Sequence, residues 1–299
     1  MSEWETVYKV AGLSFLVGII FGAVVSKTNF CTMGAVSDWV NMGNKGRLRA
    51  WFLAIGISTL LTQALQYEGL IDLSESIYLT PNFGWLGYLC GGFLFGVGMT
   101  LASGCVNRTL VRVGGGNLKS LVVMMVIGLT AYMTMRGLLS LVRINVFEVA
   151  NVNLVDHEIS DQSIGTLVSS ALGLANTELV HNIVMLVVAG GLIVFALKGR
   201  ELRGSFDNVL AGVAIGVIFP DCLYISVVVC FDDFELLRME YYNFTGPIAD
   251  VMMYLMTYRG STINLGIAAF FCMLLCAFVH AILSGIFRLE SFLDRGDMI

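Results

Sequence analysis

Two of the seven cysteines stand where short helices could begin. Cys31 follows Asn29-Phe30 and leads into Thr32-Met33-Gly34-Ala35, and Cys105 follows Ser103-Gly104 and leads into Val106-Asn107-Arg108. A thiol is a weak hydrogen-bond donor and a soft, polarizable partner, so it suits an anion that exposes sulfur. The first turn of a helix presents N–H groups without helical acceptors, and these favour negative charge. Gly96, Gly98 and Gly104 let backbone come close, and Ser103 and Asn107 can cap exposed groups. Arg108 can pair with an anion or anchor the chain at the membrane surface. Arg136 and Arg143 either attract anions or mark an interface. Asp38 repels an anion and is expected to face water. The competing reading of Cys31 and Cys105 is a small residue filling a tight turn. Cys90, Cys222, Cys230, Cys272 and Cys276 read as small apolar packing residues. No CxxC, HxxxH or HExxH pair occurs, so neither a metal nor a cofactor is expected.

The elements that must position these residues follow from composition. Of 299 residues, 57% are apolar and only 13% charged, against roughly 25% charged in soluble domains. Apolar runs of the length that crosses a bilayer, about 20 residues, recur along the chain. We expect an all-α polytopic membrane protein with about seven crossings, at 7–26, 47–67, 84–102, 118–140, 181–197, 208–231 and 262–283. Lys27, Lys45, Arg47 and Arg49 follow the first crossing. Arg108, Arg112 and Lys119 follow the third, Lys198, Arg200 and Arg203 the fifth, and Arg288 and Arg295 the last. The alternate connections are acidic: Glu68, Asp72 and Glu75, then Glu148, Asp156, Glu158 and Asp161, then Asp232, Asp233, Glu235 and Glu240. Lys and Arg stay on the cytoplasmic side, which predicts an outside N-terminus and a cytoplasmic C-terminus. The net charge of −5 resides mostly in the outer loops and does not point to nucleic acid.

Two connections hold a short apolar piece too brief to cross: NFCTMGAVSDWVNM at 29–42 and NFTGPIADVMMYLM at 243–256. They align without a gap, Asn29 with Asn243, Phe30 with Phe244, Ala35 with Ala249 and Met42 with Met256. Each follows a helix carrying Leu-x-Gly-x-x-x-Gly, at Leu16-Gly18-Gly22 and Leu210-Gly212-Gly216. Charge places the copies in opposite orientations, the mark of an inverted repeat of re-entrant half-helices. The first repeat then spans 1–140. An outer loop and linking helix follow at 141–207, and an incomplete second repeat at 208–299. Half-helix N-termini converging from both sides make Cys31, Thr32, Met33, Gly34, Gly104, Cys105, Asn107, Arg108, Thr245 and Gly246 the candidate substrate-binding set. Ser284-Gly285 is not the mate of Ser103-Gly104, because both would lie on the inner side.

FCTMGAVSDWVNMG, with GGFLFGVGMTLASGCVNRTLVRVGGGNLKS at 91–120, resembles the YeeE/YedE family of proteins linked to uptake of thiosulfate and related sulfur compounds. The resemblance implies an hourglass-shaped permease whose cysteine thiols pass thiosulfate along by transient S–H···S contacts. Cys31 and Cys105 would then line the path, and a small cytoplasmic sulfur-carrier protein would be a partner. The family's C-terminal Gly-Cys-(Ser/Thr)-x-Gly motif is absent from the sequence. We therefore expect the remaining helices to come from a second polypeptide, from self-association or from an extension.

The leading expectation is a non-enzymatic inner-membrane permease that imports thiosulfate or a related small sulfur anion from within the lipid bilayer. A membrane sulfurtransferase carrying a persulfide on Cys105 or Cys31 is the alternative. It would need a cation or helix N-terminus to stabilise a thiolate. A third reading is a non-transporting assembly subunit.

Overall fold

The computed structural model describes residues 3–71, 79–157, 159, 161–172, 177–225, 244–260 and 265–291. Helices α1 (Glu3–Thr28), α2 (Thr32–Met42) and α3 (Gly46–Tyr67) come first, followed by α4 (Trp85–Leu101), α5 (Val106–Gly114) and α6 (Leu118–Met135). The short α7 (Leu139–Val142) and α8 (Ile164–Leu172) precede α9 (Thr177–Leu197), α10 (Arg200–Arg203) and α11 (Phe206–Tyr224). Then come α12 (Thr245–Met256) and α13 (Leu265–Leu283). Among the described residues the one sheet is β1 (Asn82–Phe83) paired antiparallel with β2 (Val152–Asn153).

Seven stretches of the described residues are long and apolar enough to cross a bilayer: Phe15–Met42, Gly46–Tyr67, Trp85–Gly114, Leu118–Met135, Leu179–Leu197, Phe206–Tyr224 and Gly266–Leu283. The protein is a polytopic α-helical membrane protein. The first and third stretches run to 28 and 30 residues, beyond the ~20 that one crossing needs. Each continues through the break before Cys31 or Cys105 into α2 or the amphipathic α5. The helix expected over 118–140 stops at Met135, and the chain goes on through α7 into a π-helical turn, Arg143–Phe147. Residues 226–243, which hold Cys230, Asn243 and the end of the crossing expected at 208–231, lie outside the described residues.

Small residues set the helix spacing. Lipid is as apolar as leucine, so close backbone approach takes over from hydrophobic sorting. Gly212 and Gly216 of α11 face α3, where an added Cβ would sit 3.0 Å from the carbonyls of Ala50 and Ala54 respectively. Gly22 of α1 faces α13 in the same way, 3.0 Å from Cβ of Cys276. Two thiols reinforce that contact: Cys272 Sγ donates to the Phe15 carbonyl at 2.7 Å and Cys276 Sγ to the Ile19 carbonyl at 3.1 Å. These cysteines are therefore packing residues that also tie α13 to α1. Phe21 stacks on Phe244 at 5.2 Å between centroids and meets the edge of Phe219, which fills the space among α1, α11 and the start of α12. By contrast, Gly96 and Gly98 of α4 face open space, with nothing within 4 Å of an added Cβ. The close approach expected there does not occur among the described residues.

The connections sort into two ends. At one, the Lys45 N–H donates to the Glu201 carboxylate at 2.8 Å and Arg49 to the Phe195 carbonyl at 3.1 Å. The segment after α13 lies along the α5–α6 turn, with Leu118 N–H on the Glu290 carbonyl (3.0 Å) and Glu290 N–H on the Gly116 carbonyl (3.2 Å). At the other end β1 pairs with β2, Tyr88 reaches Gln162 and Gln63 meets His181. Arg143 there is paired with Glu148 at 3.3 Å. Among the described residues, the basic connections after α2, α5 and α9 thus gather at one end and the acidic connection around 148–161 lies at the other. Helix α8, in what reads from sequence as outer loop, starts where Asp161 accepts from the Ser163 N–H at 2.8 Å and meets the Thr166 hydroxyl.

Candidate functional site

The two cysteine segments adopt the same local form. α1 ends at Thr28 and Asn29 turns left-handed, at φ 51°. Cys31 is then extended (φ −154°, ψ 131°) and caps α2. α4 ends at Leu101 and Ser103 turns left-handed, at φ 54°. Gly104 N–H closes the turn onto the Met99 carbonyl at 3.0 Å, and Cys105 (φ −76°, ψ 168°) caps α5. A left-handed residue is how a helix stops, and an extended residue two places on is how the next one starts. Asn tolerates that conformation well. Ser tolerates it less readily, so Ser103 carries local strain.

These paired breaks bring the thiols together. Cys31 is 1% exposed and Cys105 6%, and both are free thiols. The Cys105 N–H points at Cys31 Sγ, 3.5 Å away. Backbone N–H groups of Cys105 and Gly34 lie near the Cys31 sulfur, and those of Thr32 and Arg108 near the Cys105 sulfur. The starts of α2 and α5 therefore share one buried spot carrying two sulfurs and several aimed N–H groups. Such a spot attracts a small anion, and its sulfurs are matched in softness to a sulfur atom.

Arginines complete the electrostatics. Arg108 folds back along Gly104, whose added Cβ would lie 3.3 Å from Arg108 Cδ. Its Nη1 lies 3.6 Å from the position of a Cβ added at Gly34. Arg47, at the start of α3, brings its own Nη1 to 3.1 Å of that same position. Arg47 is paired with Asp38 through Nε at 3.4 Å, whereas Arg108 makes no ion pair among the described residues. Asp38, expected to face water, thus lies on the site's margin against Arg47. Phe30 stacks on Trp51 at 4.4 Å, and the buried Trp51 indole N–H has no hydrogen-bond partner among the described residues.

Of the residues singled out in the sequence, Cys31, Thr32, Gly34, Gly104, Cys105 and Arg108 come together here. Met33 and Asn107 share the first turns of α2 and α5 and are part-buried. Thr245 and Gly246 begin α12, which packs on α6 and α13. That start differs from the other two: it follows Phe244 in helical conformation (φ −115°, ψ −17°), and it carries no thiol. Arg47 and Trp51 were not legible as site residues. Arg47 counted only as a loop charge, and no local signal marks a tryptophan one turn into the next helix.

A family model described as sulphur transport matches residues 27–299 of this chain. The chain belongs to that family. The match takes in both cysteine segments and agrees with the resemblance read from the motifs. The chain is also similar to the thiosulfate transporter TsuA of Escherichia coli (strain K12), 32% identical over 122 residues, which is 41% of this chain and 32% of that protein. The thiosulfate transporter TsuA of Spirochaeta thermophila is 29% identical over 125 residues, 42% of this chain and 36% of that relative. The alignments thus span about a third of the length of these curated relatives. The site gathered around Cys31 and Cys105 is buried, sulfur-lined and cationic at one margin.

Proposed function

We propose that this chain moves thiosulfate, or a small anion with an equally exposed sulfur, across a cell inner membrane toward the cytoplasm through the Cys31–Cys105 pair. The observation that carries the reading is the approach of the Cys105 N–H to Cys31 Sγ at 3.5 Å, which unites two helix starts at one sulfur-lined point. In this reading no bond to sulfur is made or broken. The terminal sulfur of the anion accepts hydrogen bonds from the two thiols, while first-turn N–H groups and Arg108 balance its charge. Thiols donate weakly, so the anion is held loosely enough to leave, which conduction requires. Basic connections at one end orient the chain, since those loops stay cytoplasmic, and import is the direction in which a cell gains sulfur. The N-terminus is then outside and the C-terminus inside.

Helices α11, α12 and α13 read as the inverted counterpart of α1, α2 and α3, with residues 1–140 and 208–299 as the two repeats. Packing supports this: α1 lies on α13 while α3 lies on α11, the exchange that an in-plane two-fold requires. The basic end offers docking for a cytoplasmic sulfur-carrier protein that would accept the imported anion. The test is uptake of radiolabelled thiosulfate into proteoliposomes, competed by sulfite, sulfate and selenium analogues. Competition should follow exposed sulfur and not charge alone. Sulfate competing as well as unlabelled thiosulfate would remove the case for a thiol-selected substrate.

A further inference from the structure

We propose that Arg47 is a second guanidinium of the anion site and that Asp38 is its built-in competitor, holding Arg47 while the site is empty. The inference rests on the anion-transport reading above and adds two residues that neither the motifs nor the family match assigns. Arg47 comes from α3 and Arg108 from α5, yet both Nη1 atoms converge on the buried Gly34, at 3.1 and 3.6 Å from where its Cβ would be. Two like charges do not gather at one point without a counter-charge. Arg108 has no carboxylate partner among the described residues, so the pair carries more positive than negative charge.

The existing pair engages Nε of Arg47 and leaves its Nη1 for a ligand. Asp38 Oδ2 meets Arg47 Nε at 3.4 Å, longer than the ~2.8 Å of a close charge-assisted hydrogen bond. The Nη1 group is turned instead toward Gly34. Asp38 lies one turn after Gly34 on α2, so a carboxylate and an incoming anion would contend for the same guanidinium. Around this point the charged groups are Arg47, Arg108 and Asp38, with Arg112 one turn further along α5 and Glu290 beyond it. An entering anion would loosen the Asp38 contact and bridge α2, α3 and α5, and its departure would restore it.

A purely structural ion pair makes a different prediction, which decides the matter. If the pair only held α2 to α3, Arg47→Gln and Asp38→Asn would break the same contact and shift thiosulfate KM in the same direction. If Asp38 competes with substrate, the two shift KM in opposite directions. Arg47→Gln should raise KM about tenfold, the worth of one charge-assisted hydrogen bond, and Asp38→Asn should lower it several-fold. Arg47→Lys, which keeps the charge, should fall between wild type and Arg47→Gln. The full chain in proteoliposomes gives KM, and calorimetry in detergent gives thiosulfate Kd for each variant, so a variant that fails to transport is still read by binding. Equal or same-direction shifts in both variants overturn this inference and leave the transport reading standing. Wild-type protein that binds thiosulfate but carries none refutes transport, and the Kd shifts then decide the role of Arg47. Wild-type protein that neither binds nor carries it overturns both.

Discussion

Replacing Gly34 by alanine should separate stability from function, because the two respond with opposite signs. Gly34 lies within the regular turns of α2 and shows no left-handed φ, so alanine fits its backbone. At this first-turn position the exchange favours folding by less than the ~1 kcal/mol it is worth in a helix interior. The new methyl would stand 3.1 Å from Arg47 Nη1, 3.6 Å from Arg108 Nη1 and 3.6 Å from Cys31 Cβ. Only the first of these is tight, and it involves the far end of a long side chain that can shift by a few tenths of an ångström. The steric cost should therefore stay below the helix gain, leaving the thermal midpoint in detergent unchanged or a few degrees higher. The same methyl occupies the space between two guanidiniums where an anion would sit. Displacing one charge-assisted contact should raise thiosulfate KM by about tenfold. Thermal unfolding followed by tryptophan fluorescence, beside uptake kinetics at matched protein density, reads both quantities. A Gly34→Ala protein with wild-type KM would refute the placement of the anion at this face. A large fall in midpoint would show that Gly34 is needed for packing alone.

Three further outcomes follow from the packing and charge pattern. Cys272→Ala and Cys276→Ala should keep wild-type KM and each lower stability by about 0.6 kcal/mol, the usual worth of an interhelical hydrogen bond in a membrane; a lost uptake signal at normal protein level would place them in the path. Reporter fusions at Lys45 and Arg203 should read cytoplasmic and one at Asp156 external. An internal signal at Asp156 would overturn the proposed orientation and the inverted repeat built on it. Asp161 shows opposing effects: burial pushes its carboxyl up, but the Thr166 hydroxyl together with the Ser163 N–H and hydroxyl hold it below the usual range. A depressed carboxyl stabilises above its unfolded pKa and loses that contribution as pH falls through the folded value. Hydrogen exchange at the start of α8, corrected for the intrinsic pH dependence of amide exchange, should therefore be flat from about pH 7 to pH 5 and rise only below about pH 4. Asp161→Asn should remove that acid-side rise, and an unchanged profile would show that another group controls it.

The crossings were legible because apolar runs of bilayer length leave few alternatives. The breaks before Cys31 and Cys105 were legible because Asn29 and Ser103-Gly104 are residues that can stop a helix. Their meeting was not: residues 74 positions apart share no local pattern, and only the packing of α1, α4 and their short continuations unites them. Sequence pairing compared 29–42 with 243–256, whereas the local backbone at Cys31 matches that at Cys105 and not the start of α12. Arg47 was hidden for a related reason. As a residue of a basic loop it looked like a topology signal, and its reach back to Gly34 depends on the turn at Gly43 (φ 69°) that returns α3 beside α2. Gly96 and Gly98 misled in the opposite direction, since a glycine in a membrane helix does not say which face will find a neighbour.

The most direct test of the account is radiolabelled thiosulfate uptake by the full chain in proteoliposomes, run side by side for wild type, Cys31→Ala, Cys105→Ala and their Ser counterparts. Two thiols that contact the anion predict near-complete loss for each alanine variant at unchanged protein level, and partial recovery where serine restores a donor. Wild-type rates in both alanine variants would contradict a path through this pair.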